Sequence, residues 1–254
     1  MTEHVHATTA GRVTTIRLDR PAKKNAITTE MYAALGDALS AAAADAAVRA
    51  VVLGGSRDCF TSGNDLGDFA RAAQGAGDTG AGLRFLHTLA GFDKPLIGAV
   101  AGVAIGIGTT MLLHCDLVYA APTARFRTPF VDLALVPEAG SSVLLPALVG
   151  PRRAAQLLLL GEQMDAPTAL SWGLINAVVD DPDAAAGAAA DKLGGLPPGA
   201  LRATKALTRR AGRDAVAEAM RIEGEAFAER LRSPEAMEAF QAFLARRAPD
   251  FSRF

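Results

Sequence analysis

Glu138 lies in the string LALVPEAGSS, a carboxylate among apolar neighbours, and an acid kept from water is a candidate proton carrier. Two glycine-bearing turns, Ser62-Gly63-Asn64 and Gly106-Ile107-Gly108, offer a second kind of chemistry. Glycines beside strand ends and helix starts let backbone N–H groups point into a cleft, where two converging donors can hold a developing oxyanion. Each such donor is worth about 2.7 to 4 kcal/mol of transition-state stabilisation. Each feature also has an ordinary structural reading. A lone glycine turn is usually only a turn, and an acid after Pro137 suits the first turn of a helix, where proline is favoured and the dipole welcomes negative charge.

Other chemistries find little footing. His4 and His6 lie in the N-terminal stretch, His87 and His114 stand singly on expected helices, and no pair has metal-ligand spacing with a carboxylate between them, so no metal site is expected. GVAIGIG lacks the third glycine and the downstream acid of a dinucleotide fingerprint, and no GK[ST] ends a glycine loop. Ser141-Ser142 beside Gly140 does not make a nucleophile elbow.

The elements that must position Glu138 and the two turns alternate in type. Val13 to Leu18 reads as a strand stopped by Arg20-Pro21. A helix capped by Thr28 then carries Met31, Leu35 and Leu39 on one face to about Asp45. Val48 to Leu53 and Leu96 to Val100 read as buried strands, with a helix around Leu83 to Gly91 between them. The polar RAAQGAGDTGAG is expected to be an exposed loop. A helix is expected to start near Gly106, a strand to cover Leu117 to Ala120, and mostly helices to follow Glu138, with a short strand at Ile175 to Val179. Such alternation predicts an α/β architecture with parallel strands, whose chemistry sits beyond the strand ends. Pro197-Pro198-Gly199 looks like a boundary before amphipathic terminal helices. Their apolar residues Phe227, Leu231, Phe240, Phe243 and Leu244 need a partner, either the chain's own core or another subunit.

Composition narrows the class. The chain has 254 residues, 50% hydrophobic and 21% charged, and a formal net charge of -1, so it is expected to fold as a soluble globular domain without an anion-binding surface for nucleic acid. The two cysteines, Cys59 and Cys115, make no disulfide framework, and the opening MTEHVHATTAGR lacks an apolar signal sequence, which points to a reducing cytoplasm. The longest apolar stretch, around Pro95 to Met111, is too short and glycine-rich to span a membrane.

Taken in order, RLDRPAKKNAIT, FTSGNDL, KPLIGAVAGVAIGIGTTMLLHCDLVYA, ARFRTPFVDLALVPEAGSSVLLPALVG and WGLINAVV resemble the enoyl-CoA hydratase/isomerase (crotonase) superfamily over residues 12 to 180. The resemblance implies a crotonase (ClpP/crotonase-like) fold, a spiral of ββα units with a C-terminal helical trimerisation region. Residues 1–196 would form the acyl-CoA-binding, catalytic core, and residues 197–254 would serve oligomerisation, as a homotrimer or a dimer of trimers. The substrate would be an acyl-CoA thioester, with coenzyme A part of the substrate and no further cofactor.

By position, the resemblance makes the amides of Asn64 and Ile107 the oxyanion donors. It sets Lys24 and Ala26, with Ser62, Gly63, Asp65 and Leu66, where the family holds the CoA moiety, Asp65 as a brace of the turn. Hydratases of the family use two glutamates; this chain has Thr110 and Phe130 at those places. Glu138 instead stands where the Δ3,Δ2-enoyl-CoA isomerases carry a single catalytic acid. The resemblance therefore implies an isomerase that converts 3-enoyl-CoA to 2-trans-enoyl-CoA. Alternatives are another crotonase reaction, such as hydration or isomerisation of a ring acyl-CoA, and a non-catalytic acyl-CoA-binding protein. The terminal Ser252-Arg253-Phe254 is not a peroxisomal address, which fits a bacterial-type cytoplasmic relative. Whether burial raises the pKa of Glu138 or a helix N-terminus lowers it is open at this level.

Overall fold

The computed structural model describes residues 2–73 and 80–254. Its strands alternate between two sheets as the chain advances. A six-stranded sheet holds β1 (Val5–Ala10), β2 (Val13–Leu18), β3 (Ala50–Gly54), β5 (Leu96–Val100), β7 (Leu117–Ala120) and β10 (Ala177–Val178), in the order β1-β2-β3-β5-β7-β10. A four-stranded sheet holds β4 (Cys59–Thr61), β6 (Val103–Ile105), β8 (Arg125–Arg127) and β9 (Met164–Asp165) in sequence order. From β3 to β8 each strand of the first sheet is followed by one of the second, so the chain winds as a spiral of repeating β-β units with helices in the connections. All pairings are parallel except β1 with β2 and β8 with β9. This is the crotonase architecture that the sequence led one to expect, with parallel strands as anticipated.

Hydrophobic runs explain the layers. Every residue of β3 and β5 is buried, as expected of strands covered on both faces. Val51, Leu53, Leu96 and Val100 face the main core, with α1 (Thr29–Ala44) and α3 (Gly80–Gly91) on that side. Ala50, Val52, Ile97 and Ala99 face the other way, against Ala186 and Ala190 of α8 (Pro182–Gly194). The alanine run of α8 thus lets a helix approach a sheet face built partly of alanines. The cap expected at Thr28 is present, its hydroxyl accepting from the Met31 amide at 3.3 Å.

Some local expectations shift. β1 was not foreseen: only Val5 of its six residues is buried, so this edge strand carries no alternation to read. The strand expected at Val48 to Leu53 runs Ala50–Gly54, and that expected at Ile175 to Val179 shortens to Ala177–Val178. Half of the loop expected over RAAQGAGDTGAG, residues 74–79, lies outside the described residues; the rest is helix and not loop, 71–73 belonging to α2 (Leu66–Ala73) and 80–82 to α3.

The remaining helices are α4 (Ile107–Thr110), α5 (Ser141–Val149), α6 (Pro151–Leu159), α7 (Ala166–Ser171), α9 (Pro198–Arg209), α10 (Arg213–Leu231) and α11 (Pro234–Leu244). Of the apolar residues of the last two, some meet the chain's own core and some stay exposed. Leu231 and Phe240 are buried in the core, and Phe227 stacks edge-on against Phe69 of α2 at 5.7 Å. Phe243 and Leu244 stay 60% and 64% exposed. Among the described residues no helix is long and apolar enough to cross a membrane.

Candidate active site

The two glycine turns leave the same end of neighbouring strands. β4 pairs in parallel with β6, Thr61 opposite Ala104, so Ser62-Gly63-Asn64 and Gly106-Ile107-Gly108 emerge side by side. Glycine is required for that closeness. Gly63 has φ +93°, and a Cβ there would lie 2.9 Å from the Ile105 carbonyl oxygen; one on Gly108 would meet Thr61 Cγ2 at 2.6 Å. Gly106, at φ +58°, is the N-cap of α4, which makes Ile107 its first residue, where an amide has no acceptor within the helix. Among the described residues no acceptor pairs with the amide of Asn64 or of Ile107. Both turns therefore keep an N–H group free to donate.

A third strand of chain braces these turns. The Ile27 amide donates to the Gly63 carbonyl at 2.8 Å, Asp65 donates back to Ile27 at 2.9 Å, and Ser62 donates to the Lys24 carbonyl at 2.9 Å. Lys24 and Asn25 hold left-handed backbone there, φ 48° and 54°. Buried Asn25 pins the segment, its amide group donating to the carbonyls of Cys59 at 2.8 Å and Phe60 at 3.1 Å. Asp65 accepts from Arg20 at 2.7 Å and from the Gly67 amide at 2.9 Å, the bracing role expected of it. Burial raises its pKa, but the hydrogen bonds from Arg20, Asp68 and Gly67 outweigh that and hold the carboxyl below its ordinary value.

A cavity of about 120 Å³ opens beside these turns. Its wall includes Asn64, Asp65 and Glu138, together with Tyr32 of α1, Leu83 of α3 and Glu223 of α10. Lys24, Ala26, Ser62, Gly63 and Leu66 gather next to it without lining it. Ile107 is likewise absent from the wall and its side chain is fully buried, so only its main chain is available for chemistry. Thr110 and Phe130, where hydratases of the resembled family carry glutamates, are buried neutral residues.

Glu138 is not a helix-capping acid. The helix begins at Ser141, behind two successive left-handed residues, Ala139 at φ 61° and Gly140 at φ 71°. The open N-terminal amides of α5 are taken by another acid. Glu223 accepts from the Gly140 amide at 2.6 Å and from the Ser142 amide at 2.9 Å. The residue Glu138 is half-buried, but its Oε1 is shut off from solvent and has no hydrogen-bond partner. Burial, and then the charge of Glu223, push its pKa up to about 8. Burial therefore wins the contest left open by the sequence, because the helix dipole is occupied.

Two further groups support these turns, one each. His114 Nε2 donates to the Ala139 carbonyl at 2.7 Å. Burial lowers its pKa to about 4, with Arg209 and Lys205 adding to the effect, so it works as a neutral imidazole. The Tyr32 hydroxyl donates to Asn64 Oδ1 at 2.5 Å, and burial, with the charge of Glu138, raises its pKa well above the ordinary value. Tyr32, Asn25 and Glu223 were not singled out from the sequence. Glu223 alone had a visible signal: with Met220, Phe227 and Leu231 it falls on one helical stripe, a charge in an apolar row. Among the described residues no group of three His, Cys, Asp or Glu side chains is placed to hold a metal.

The family model "Enoyl-CoA hydratase/isomerase" matches residues 8–253. The chain is 35% identical to rat enoyl-CoA delta isomerase 2, the match covering 94% of this chain and 63% of that protein. It is 36% identical to 1,2-epoxyphenylacetyl-CoA isomerase of Escherichia coli, covering 94% of this chain and 95% of the relative. The chain thus spans less than two thirds of the rat isomerase and nearly all of the bacterial one. Among solved structures, Pseudomonas aeruginosa OdaA superposes with a TM-score of 0.92 at 43% identity, covering 96% of this chain and 99% of that one.

Proposed function

The chain belongs to the enoyl-CoA hydratase/isomerase family, and on that footing we propose that it moves the double bond of a 3-enoyl-CoA thioester to the 2-trans position, with Glu138 as the single acid and base. The observation that carries this reading is one buried carboxyl oxygen, Glu138 Oε1, without a partner, in a cavity whose wall also contains Asn64. A thioester whose carbonyl lies between the amides of Asn64 and Ile107 would bring its C2 hydrogen to that carboxylate. The carboxylate takes the proton, the C–H electron pair delocalises into a dienolate, and the two amides hold the negative oxygen. Returned to C4, the same proton leaves the double bond between C2 and C3. One group within reach of both carbons suffices.

The raised pKa suits this work. A conjugate acid near neutrality is basic enough to take an allylic proton activated by the thioester and acidic enough to give it back. With a pKa of about 8, only about a tenth of the resting enzyme carries the base form at pH 7, so kcat/KM should climb with pH until that group is ionised. Water addition lacks its usual pair of glutamates, since Thr110 and Phe130 stand in their places. The family's CoA-holding positions, Lys24, Ala26, Ser62, Gly63, Asp65 and Leu66, are assigned to the nucleotide-bearing end of the substrate. The terminal helices and their exposed Phe243 and Leu244 are assigned to a homotrimer or a dimer of trimers.

The test is a spectrophotometric comparison of 3-enoyl-CoA and 2-enoyl-CoA as substrates. Isomerisation of the first should far exceed hydration of the second; the reverse ranking would overturn the reading. A second reading, rearrangement of a ring-derived CoA ester, draws on the match to nearly the full length of 1,2-epoxyphenylacetyl-CoA isomerase. Faster turnover of that enzyme's substrate than of any linear 3-enoyl-CoA would favour it.

A further inference from the structure

Glu223 has no part in the chemistry above, yet it is 6% exposed on the apolar stripe of α10, where a carboxylate is costly unless its position is useful. Its two oxygens are each held by a main-chain amide, of Gly140 and of Ser142, and it lines the same cavity as Glu138. No Lys, Arg or His side chain lines that cavity among the described residues. The titratable groups around it are Tyr32 from α1, Asp65 from the turn before α2, Asp68 from α2 and Glu223 from α10, while α3 contributes only Gly82, Leu83 and Leu86. Asp65 is paired with Arg20 and Asp68 with Arg71. Among the described residues Glu223 is held by neutral amides, so apart from Glu138 its carboxylate is the one on the cavity wall without a cation against it.

We propose that Glu223 is a positioning residue for Glu138: its grip on two amides fixes the left-handed Ala139-Gly140 turn behind Glu138, and it sets a second carboxylate on the wall of the same cavity. The inference rests on Glu138 acting as the base. Two effects run in the same direction. By occupying the N-terminus of α5, Glu223 denies Glu138 the positive end of that helix, and as a like charge it disfavours a second carboxylate nearby. A glutamine at this position would end both. Its single acceptor oxygen can serve one amide while its NH2 opposes the other, and the charge is gone.

The test reads Glu138 itself, by carboxyl carbon-13 NMR titration of the resting protein, with Glu138→Gln assigning the resonance. Glu223→Gln should lower the Glu138 midpoint by about one pH unit or more, with the ascending, acid-side limb of kcat/KM moving by the same amount. Glu223→Asp keeps the charge but shortens the reach; its midpoint should stay within about half a unit of the parent while kcat falls and KM holds. A purely structural role would cost rate and melting temperature without moving the midpoint. The proposal is overturned if Glu223→Gln leaves the midpoint in place, or if Glu223→Asp lowers it as far as the glutamine does. Should the glutamine variant not fold, Glu223→Ala, which also lacks the charge, is read the same way, and an unmoved midpoint there overturns the proposal. A shifted carboxyl in a protein that never isomerises 3-enoyl-CoA would uphold the coupling and remove the isomerase reading instead.

Discussion

Where β4 ends, the cavity is bounded by Asn64 and Asp65 of the first glycine turn, with the second turn beside it; across it, α10 presents Met220, Glu223, Phe227 and Leu231. The first side is fixed by backbone pairing and by glycines that admit no Cβ. The second depends on which residue α10 carries at each position of its stripe. In the proposed mechanism the strand-end side supplies transition-state stabilisation, and the helical side sets the strength of the base and the shape of the acyl pocket. Changes on the strand-end side should therefore alter rate with little effect on pH dependence, whereas loss of the charge on the helical side should move the pH dependence.

The largest expected effect falls on the residue between the two sides. Glu138→Gln should lower isomerisation by about a thousandfold or more, since it removes acid and base together. It should also stabilise the fold. With a folded-state pKa of about 8 against an ordinary 4.5, the carboxyl contributes stability that is fully present below about pH 4.5 and is lost as pH rises through 8. A neutral glutamine escapes that loss. Thermal unfolding should thus show parent and variant nearly equal at pH 4.5 and the variant ahead by about 2 °C or more at pH 8. Equal melting at both pH values would mean that Glu138 is not held protonated.

Next comes the glycine side. Gly63→Ala strains a left-handed backbone and pushes against the Ile105 carbonyl, displacing the Asn64 amide. kcat should fall about a hundredfold, the cost of losing one oxyanion donor, while the midpoint of the pH profile stays put. A shifted midpoint would blur the division between the two sides. A smaller effect is expected from Tyr32→Phe, which frees Asn64 Oδ1 at the rim of the same turn. kcat should drop about fivefold to tenfold, the worth of one hydrogen bond, with no change in unfolding cooperativity. The smallest change is expected at Phe227, which packs on Phe69 in the helical wall. Phe227→Leu should leave kcat for short 3-enoyl chains within about twofold and alter KM for long ones, because a near-conservative apolar swap reshapes the pocket at little cost in stability. A uniform loss across chain lengths would place Phe227 outside the acyl pocket.

How much of this was legible in the residues follows the same division. The glycine turns, the parallel strands and the candidate acid could be read because glycine spacing, β-branched runs and a lone carboxylate in LALVPEAGSS are local patterns. The edge strand β1 left no pattern, since five of its six residues face solvent. The environment of Glu138 could not be read, because it depends on Glu223, 85 positions away, reaching α5 before Glu138 can use it. For the same reason the expected division at residue 196 does not confine the site to the first segment, as α10 walls the cavity. Asn25 lay unnoticed in KKNA because its worth lies in the Cys59 and Phe60 carbonyls it ties down, a tertiary fact.

The central claim, that one buried carboxylate moves the proton, is tested most directly by kcat/KM for 3-enoyl-CoA as a function of pH. The parent should rise along a single ionisation with a midpoint near 8, and Glu138→Gln should lose that dependence with its activity. A parent profile flat above pH 5, or a glutamine variant that keeps the parent rate, would contradict it.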